Sequence, residues 1–184
     1  MKPLSVYIEK QRQRIIAPHL EGQILDLGCG YGALVRHNTP RPENYLGVDQ
    51  LFPVQQWFNS KFPEYRVEIL DLESDSLEVC LQFDTIVMTA CLEHLRNPNH
   101  IFGQLPQLLK SNGKILITTP TPLGGKIHAA GAKIGLFYQE AAEDHEVFYN
   151  RETLRELLSR HGVIMVEYSQ FMFGSNQLAV GKLS

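Results

Sequence analysis

The chain has 184 residues, of which 43% are apolar and 20% charged, with a formal net charge of −3. That is the size of a single domain, able to bury a core without disulfides or structural metal, and the charge gives no electrostatic reason for a nucleic-acid or membrane-surface partner. Its three cysteines, Cys29, Cys80 and Cys91, are widely and irregularly spaced with no CxxC pair. This argues against a disulfide framework or a zinc site, and reduced cytoplasmic thiols are expected.

The amino terminus, MKPLSVYIEKQRQR, lacks the apolar run of a signal peptide, and no stretch of about 18 apolar residues suggests a membrane span. Residues 5–20 place Val6, Ile8, Ile15, Ile16 and Leu20 among basic residues and glutamines, which predicts an amphipathic helix. Ile24, Leu25 and Leu27 form a short buried strand that glycines end abruptly, and a short helix follows over Ala33–His37. Tyr45–Asp49 is a second strand. Phe52–Lys61 is a helix with Pro53 in its first turn, where proline is tolerated.

Arg66–Leu70 is a third strand, followed by the acidic loop DLESD, and Phe83–Thr89 is a fourth, apolar enough to be buried on both faces. Asn99–Lys110 reads as a helix that Pro106 should kink or interrupt, and Ser111-Asn112-Gly113 reads as a turn. Lys114–Thr119 is a fifth strand. Residues 120–149 are irregular or partly helical. Arg151–His161 is a helix with Asn150 as its N-cap and Gly162 as its C-cap. Val163–Phe171 and Gln177–Lys182 are two final strands joined by a GSN turn. Strands alternating with helices imply one α/β domain over residues 1–184, with a mostly parallel sheet covered on both faces and an antiparallel hairpin at one edge.

The sharpest chemical signal is Asp26-Leu27-Gly28-Cys29-Gly30-Tyr31-Gly32. Alternate glycines let the chain turn tightly and let a ligand approach the backbone, and a helix start lies just beyond. The next strand ends on Asp49, whose carboxylate can accept hydrogen bonds from two ribose hydroxyls. The third glycine comes one residue too early for the dinucleotide pattern GxGxxG, which argues against a nicotinamide or flavin enzyme.

With that loop the sequence resembles the class I S-adenosylmethionine-dependent methyltransferases. ILDLGCGYG looks like their first motif, YLGVDQ like their second strand, and DLESD like the loop after their third. FDTIVMTACLEHL, LLKSNGKILITTP and HEVFYNRETLRELLSRHG resemble later regions of the small-molecule branch that includes the ubiquinone-biosynthesis methyltransferases. The likeness covers roughly residues 20 to 182. It implies a Rossmann-like three-layer sandwich with a seven-stranded sheet of order 3-2-1-4-5-7-6, strand 7 antiparallel. It also implies S-adenosylmethionine as cofactor. Asp26 would hold the amino end of the cofactor's methionine, and Gly28, Cys29, Gly30 and Gly32 would form the loop against it. Asp49 would take the ribose, with Gln50 near the ribose or adenine. Asp71 and Leu72 would flank the adenine, and Met88 and Thr89 would line the methionine side.

Methyl transfer requires an acceptor aligned with the methyl group and, for some acceptors, a base. Glu93, His94, His128 and His145 are the candidates, with His145 and His94 foremost. Glu143, Asp144, His145 and Glu146 are adjacent, so an extended chain would turn them to opposite sides, and no metal is expected. Residues 120–149, with Gly124, Gly125, Gly131 and Gly135, are a candidate lid over the substrate. TACL follows the fourth strand in place of an NPPY-like amine motif, which argues against the usual nucleic-acid and protein-glutamine amine methylators. The expected activity is methyl transfer to a small molecule. The alternative is a non-catalytic cofactor-binding or regulatory protein on the same fold, since fold alone does not establish catalysis.

Overall fold

The structure is a computed structural model and describes residues 3–79, 81–125, 127 and 147–184. Its sheet is built from strands that are largely apolar runs, some of which stop at a glycine or polar residue, as the first does before Gly28 and the second at Asp49. They are β1 (Ile24–Leu27), β2 (Tyr45–Asp49), β3 (Arg66–Ile69), β4 (Phe83–Thr89), β5 (Leu109–Pro120), β6 (Val163–Phe171) and β7 (Asn176–Leu183). The order is β3-β2-β1-β4-β5-β7-β6, parallel except that β7 runs antiparallel to both neighbours, as the resemblance implies.

Alternation along the strands divides the core in two, because successive side chains point to opposite faces. Leu25, Leu27, Ile86 and Met88 face α4 (Asn99–Leu108) and α5 (Arg151–Arg160), where Ile101, Phe102, Leu105, Leu154 and Leu158 are buried. Ile24, Tyr45, Val67 and Val87 face α1 (Pro3–Ile16), α2 (Ala33–Asn38) and α3 (Phe52–Lys61), through Ile16, Leu34, Val54 and Phe58. Among the described residues no helix is long and apolar enough to cross a membrane.

Several boundaries differ from expectation, each for a physical reason. Ser111–Gly113 is not a free turn but a bulge inside β5. Phe83 pairs with Leu109 and Thr85 with Lys114, so the intervening residues of β5 arch out of register. The α4 helix ends at Leu108 and contains Pro106 in its last turn, without interruption there. The C-cap of α5 is His161, with Gly162 just after it at φ +69. Asn150 is the N-cap as expected. It accepts from the amides of Glu152 and Thr153, while the Thr153 hydroxyl accepts from the Asn150 amide.

The largest departure concerns α1. Val6 is exposed, and the inward stripe is Glu9, Arg12, Gln13 and Ile16, which is mostly polar. Glu9 receives two hydrogen bonds of 2.9 Å from Arg36 of α2, and Gln13 accepts from Asn38 at 2.9 Å. Arg12 donates to Asn176 at the start of β7 at 3.0 Å. The helix is thereby tied from α2 to β7, across the carboxyl ends of the central strands.

Candidate functional site

The glycine loop leaves β1 through three left-handed glycines, Gly28 (φ +69), Gly30 (φ +49) and Gly32 (φ +67). Their reasons differ. A Cβ on Gly28 would lie 2.4 Å from Cys91 Sγ, and one on Gly32 would lie 2.9 Å from the Phe58 ring. Both positions are closed by the protein's own packing. A Cβ on Gly30 would meet nothing within 4 Å, so that glycine faces open space.

Four of the loop's backbone donors are already in use. Gly28 and Cys29 both donate to the Val48 carbonyl, at 2.9 and 3.0 Å. Gly30 donates to Asp49 Oδ2 at 2.9 Å, and Gly32 donates to the Cys29 carbonyl at 3.1 Å. The loop therefore does not turn these amides toward a ligand, as a phosphate-binding loop would.

Two carboxylates stand beside it. Asp49 ends β2 and is half-buried, with Oδ1 accepting from the Leu51 amide at 3.0 Å. Asp26, in β1, is 2% exposed. Its Oδ2 accepts from the Tyr45 hydroxyl at 3.0 Å, while Oδ1 has no hydrogen-bond partner. Burial pushes Asp26 up to about 7, against the Tyr45 hydrogen bond, which favours the ionised form, and with a smaller upward push from Asp49.

A cleft of about 280 Å³ opens over the loop. Of the residues expected at the site, Gly28, Gly30, Asp49, Gln50, Asp71 and Leu72 line it, together with His94. Others stand back. Met88 is fully buried in the core, and the Cys29 thiol is packed beneath the loop, where burial pushes it well above its ordinary value. Gly32 serves as the N-cap of α2. Thr89 is half-buried and accepts from Gln13 of α1 at 3.4 Å.

The cleft also contains Leu51, Leu70, Glu73, Ala90, Cys91 and Leu95, which the motifs did not single out. Leu51 and Leu70 each adjoin a residue that was named, so their neighbourhood was the available signal. Ala90 likewise adjoins the named Thr89, and its φ of +53 turns the chain out of β4, with its amide donating to Thr118 at 2.8 Å. The floor of the cleft is stiffened by the DLESD loop, where the amides of Ser74 and Asp75 donate back to the Asp71 carbonyl.

Of the base candidates, His94 is exposed at the cleft in the 3-10 turn Leu92–His94. Its neighbour Glu93 is fully buried, accepts from Thr119 at 2.9 Å, and has no partner at Oε1. Arg12 of α1 lies in the field of Glu93 and Glu9, which oppose the downward push of its burial. His145, His128 and the run Glu143–Glu146 lie outside the described residues, as does most of 120–149, of which residues 122–125 are helical. Among the described residues no three His, Cys, Asp or Glu side chains gather as metal ligands.

A family described as "Methyltransferase domain" matches residues 4–168. The chain belongs to that family. The class I S-adenosylmethionine-dependent methyltransferase likeness of the motifs, the sheet order and the family match agree. A ubiquinone biosynthesis O-methyltransferase of Aeromonas salmonicida is 22% identical to this methyltransferase domain over 174 residues, which is 87% of this chain and 71% of that one. A tRNA U34 carboxymethyltransferase of Syntrophotalea carbinolica is 35% identical over 118 residues, 56% of this chain and 35% of that one. Among solved structures, the glycopeptide N-methyltransferase MtfA complexed with S-adenosyl-L-methionine matches at a TM-score of 0.71 and 13% identity. That match covers 96% of this chain and 94% of that one, and the likeness is one of fold. The chain spans between 35% and 43% of the length of several curated relatives that it matches.

Proposed function

We propose that this methyltransferase domain binds S-adenosylmethionine in the cleft over the glycine loop and transfers its methyl group to a small-molecule acceptor. The observation that carries the reading is the loop's hydrogen bonding. The amides of Gly28, Cys29, Gly30 and Gly32 all donate within the protein, while the buried Asp26 keeps one carboxyl oxygen without a partner. Such a site disfavours a pyrophosphate and favours a ligand that brings a cation.

The residues present fit that cofactor. Asp26 Oδ1 lacks a donor, which the ammonium of the methionine end would supply, and Gly30 leaves a space that any side chain would fill. Asp49 retains a lone pair on each oxygen beyond its bonds to Gly30 and Leu51, enough for two ribose hydroxyls. Gln50 stands beside it, Asp71 and Leu72 flank the adenine, and Thr89 borders the methionine side. Cys29 and Met88 lie behind the cleft in the packed core, and Gly32 starts the supporting helix.

The sulfonium supplies an already activated methyl group, so the chain's work is alignment and, where the acceptor bears a proton, its removal. His94 at the cleft is the base we assign among the described residues, with His145 as the second. Residues 120–149 form the lid in this reading. The net charge of −3 supports a small-molecule acceptor over an RNA, although several relatives are named for tRNA.

Methyl-labelled S-adenosylmethionine, incubated with the protein and separated cell-extract fractions, tests the assignment. Label should enter the low-molecular-weight fraction. Label in the RNA fraction alone would overturn the acceptor class, and failure to bind S-adenosylhomocysteine would overturn the cofactor.

A further inference from the structure

Tyr45 opens β2 one strand away from Asp26, and its ring is fixed before any ligand arrives. It is 4% exposed, stacked on Phe58 with centroids 6.5 Å apart and edge-on to Tyr65 at 5.4 Å. Gly47 keeps the space around its hydroxyl open. A Cβ there would lie 2.9 Å from the Tyr45 oxygen and 3.0 Å from Cys29 Sγ. The hydroxyl donates to Asp26 Oδ2 at 3.0 Å, and on its other side it meets the Cys29 thiol, a weaker partner.

We propose that Tyr45 is a positioning residue for the cofactor's cationic end. It fixes the Asp26 carboxyl so that Oδ1 is left to the ligand's ammonium, and it couples binding of that ammonium to release of the Asp26 proton. This rests on the assignment of Asp26 to the methionine end.

The electrostatics follow from what surrounds Asp26. From β2 it faces Tyr45 and Asp49, from the loop Cys29, and beyond β4 Cys91; these groups bring no cation. Burial and Asp49 favour the protonated acid, and the Tyr45 hydrogen bond favours the carboxylate. With Asp26 raised to about 7, the ligand-free protein at pH 6 carries mostly the neutral acid. An incoming ammonium ion cannot share a site with that proton at full strength. The carboxyl O–H bond breaks, the proton goes to solvent, and the ammonium donates to the resulting carboxylate. Above about pH 7 the carboxylate is already formed and no proton leaves.

Three consequences separate this role from packing. Affinity for S-adenosylhomocysteine should fall as pH drops below about 7, approaching tenfold per unit. The fall at high pH belongs to the ligand, whose free amino-acid ammonium, beside its own carboxylate, loses its proton only well above pH 8. Removing the Tyr45 hydroxyl withdraws a bond that favours the carboxylate, so the acid limb must move to higher pH.

Calorimetric titration of the full chain with S-adenosylhomocysteine, at pH 6 and pH 8 in buffers of different ionisation enthalpy, counts the protons. The wild type should release close to one proton at pH 6 and none at pH 8. Tyr45→Phe keeps the ring. It should bind roughly tenfold more weakly at pH 7, with its acid limb displaced upward. Asp26→Asn should bind weakly with no acid limb and no proton release. A Tyr45→Phe profile that superimposes on the wild type in affinity and pH dependence overturns the positioning role while leaving cofactor binding intact. If Tyr45→Phe does not fold, the wild type and Asp26→Asn decide. Equal proton counts in those two would overturn the coupling. No binding by the wild type at any pH would instead remove the cofactor assignment itself.

Discussion

The Gly30 amide donates to Asp49 Oδ2 at 2.9 Å, which makes the loop after β1 and the acid ending β2 a single unit. Asp49 therefore holds the loop, and in the proposed reading it also offers its remaining lone pairs to the ribose.

Asp49→Ala should weaken binding of S-adenosylhomocysteine by about 1.5–3 kcal/mol, from the loss of charge-assisted bonds to two hydroxyls. The fold should survive, because Asp49 is half-buried at a strand end and not in the core. Calorimetry with a melting curve on the same sample checks both parts. An unchanged dissociation constant would place the ribose elsewhere.

The three glycines should separate by phenotype. Gly28→Ala and Gly32→Ala should lower the melting temperature, since their Cβ atoms would meet Cys91 Sγ at 2.4 Å and the Phe58 ring at 2.9 Å. Gly30→Val adds a side chain in open space, costs about 1–2 kcal/mol for its left-handed backbone, and should abolish cofactor binding in folded protein. Thermal melts beside titrations would show whether stability and binding divide in this way. A Gly30 variant that binds normally would contradict it.

Asp26 gives the ligand-free fold a pH dependence of definite sign. Folding raises this acid from its ordinary 3.8 to about 7. Its contribution to stability is therefore fully present below about pH 4 and is lost as pH rises through about 7, at close to 1.4 kcal/mol per unit within that window. Asp26→Asn should remove that slope and melt higher than the wild type at pH 8, while binding the cofactor less well. Parallel melting curves for the two proteins between pH 4 and 8 would show that the buried acid carries no such load.

The base assignment predicts a kinetic split. His94→Ala should lower kcat by about a hundredfold while changing the S-adenosylhomocysteine dissociation constant less than about threefold. His145→Ala should show the same split if residues 120–149 close over the acceptor. Hydrogen exchange across residues 124–145 should then slow on binding S-adenosylhomocysteine. Normal turnover in either variant would leave that histidine a structural residue, and equal exchange in both states would remove the lid.

Most strand positions were legible because their apolar runs are continuous and end at glycine or polar residues, as at Tyr45–Asp49 and Phe83–Thr89. Asp49 and Gly30 were legible because a motif fixes their spacing. The inward face of α1 was not, since Glu9, Arg12 and Gln13 are held by Arg36, Asn176 and Asn38, partners distant in sequence, and local periodicity sees only Val6, Ile8 and Ile15. The bulge at Ser111–Gly113 has the composition of a turn, and only pairing with β4 draws it into the sheet. The alternate glycines express tight turning and a close ligand approach, but not where the loop's amides go. The carbonyl of Val48, brought alongside by the parallel pairing of β1 and β2, takes two of them. Likewise the partnerless oxygen of Asp26 depends on where Tyr45 reaches, which no spacing in the sequence expresses.

The central claim is that this glycine loop serves a cationic sulfonium cofactor and not a dinucleotide. Side-by-side calorimetric titration with S-adenosylmethionine, S-adenosylhomocysteine and NAD tests it most directly, with Gly30→Val as the control for the site. Both sulfur compounds should bind saturably at one site, binding should be lost in the variant, and NAD should not bind. Tighter binding of NAD than of either sulfur compound would contradict it.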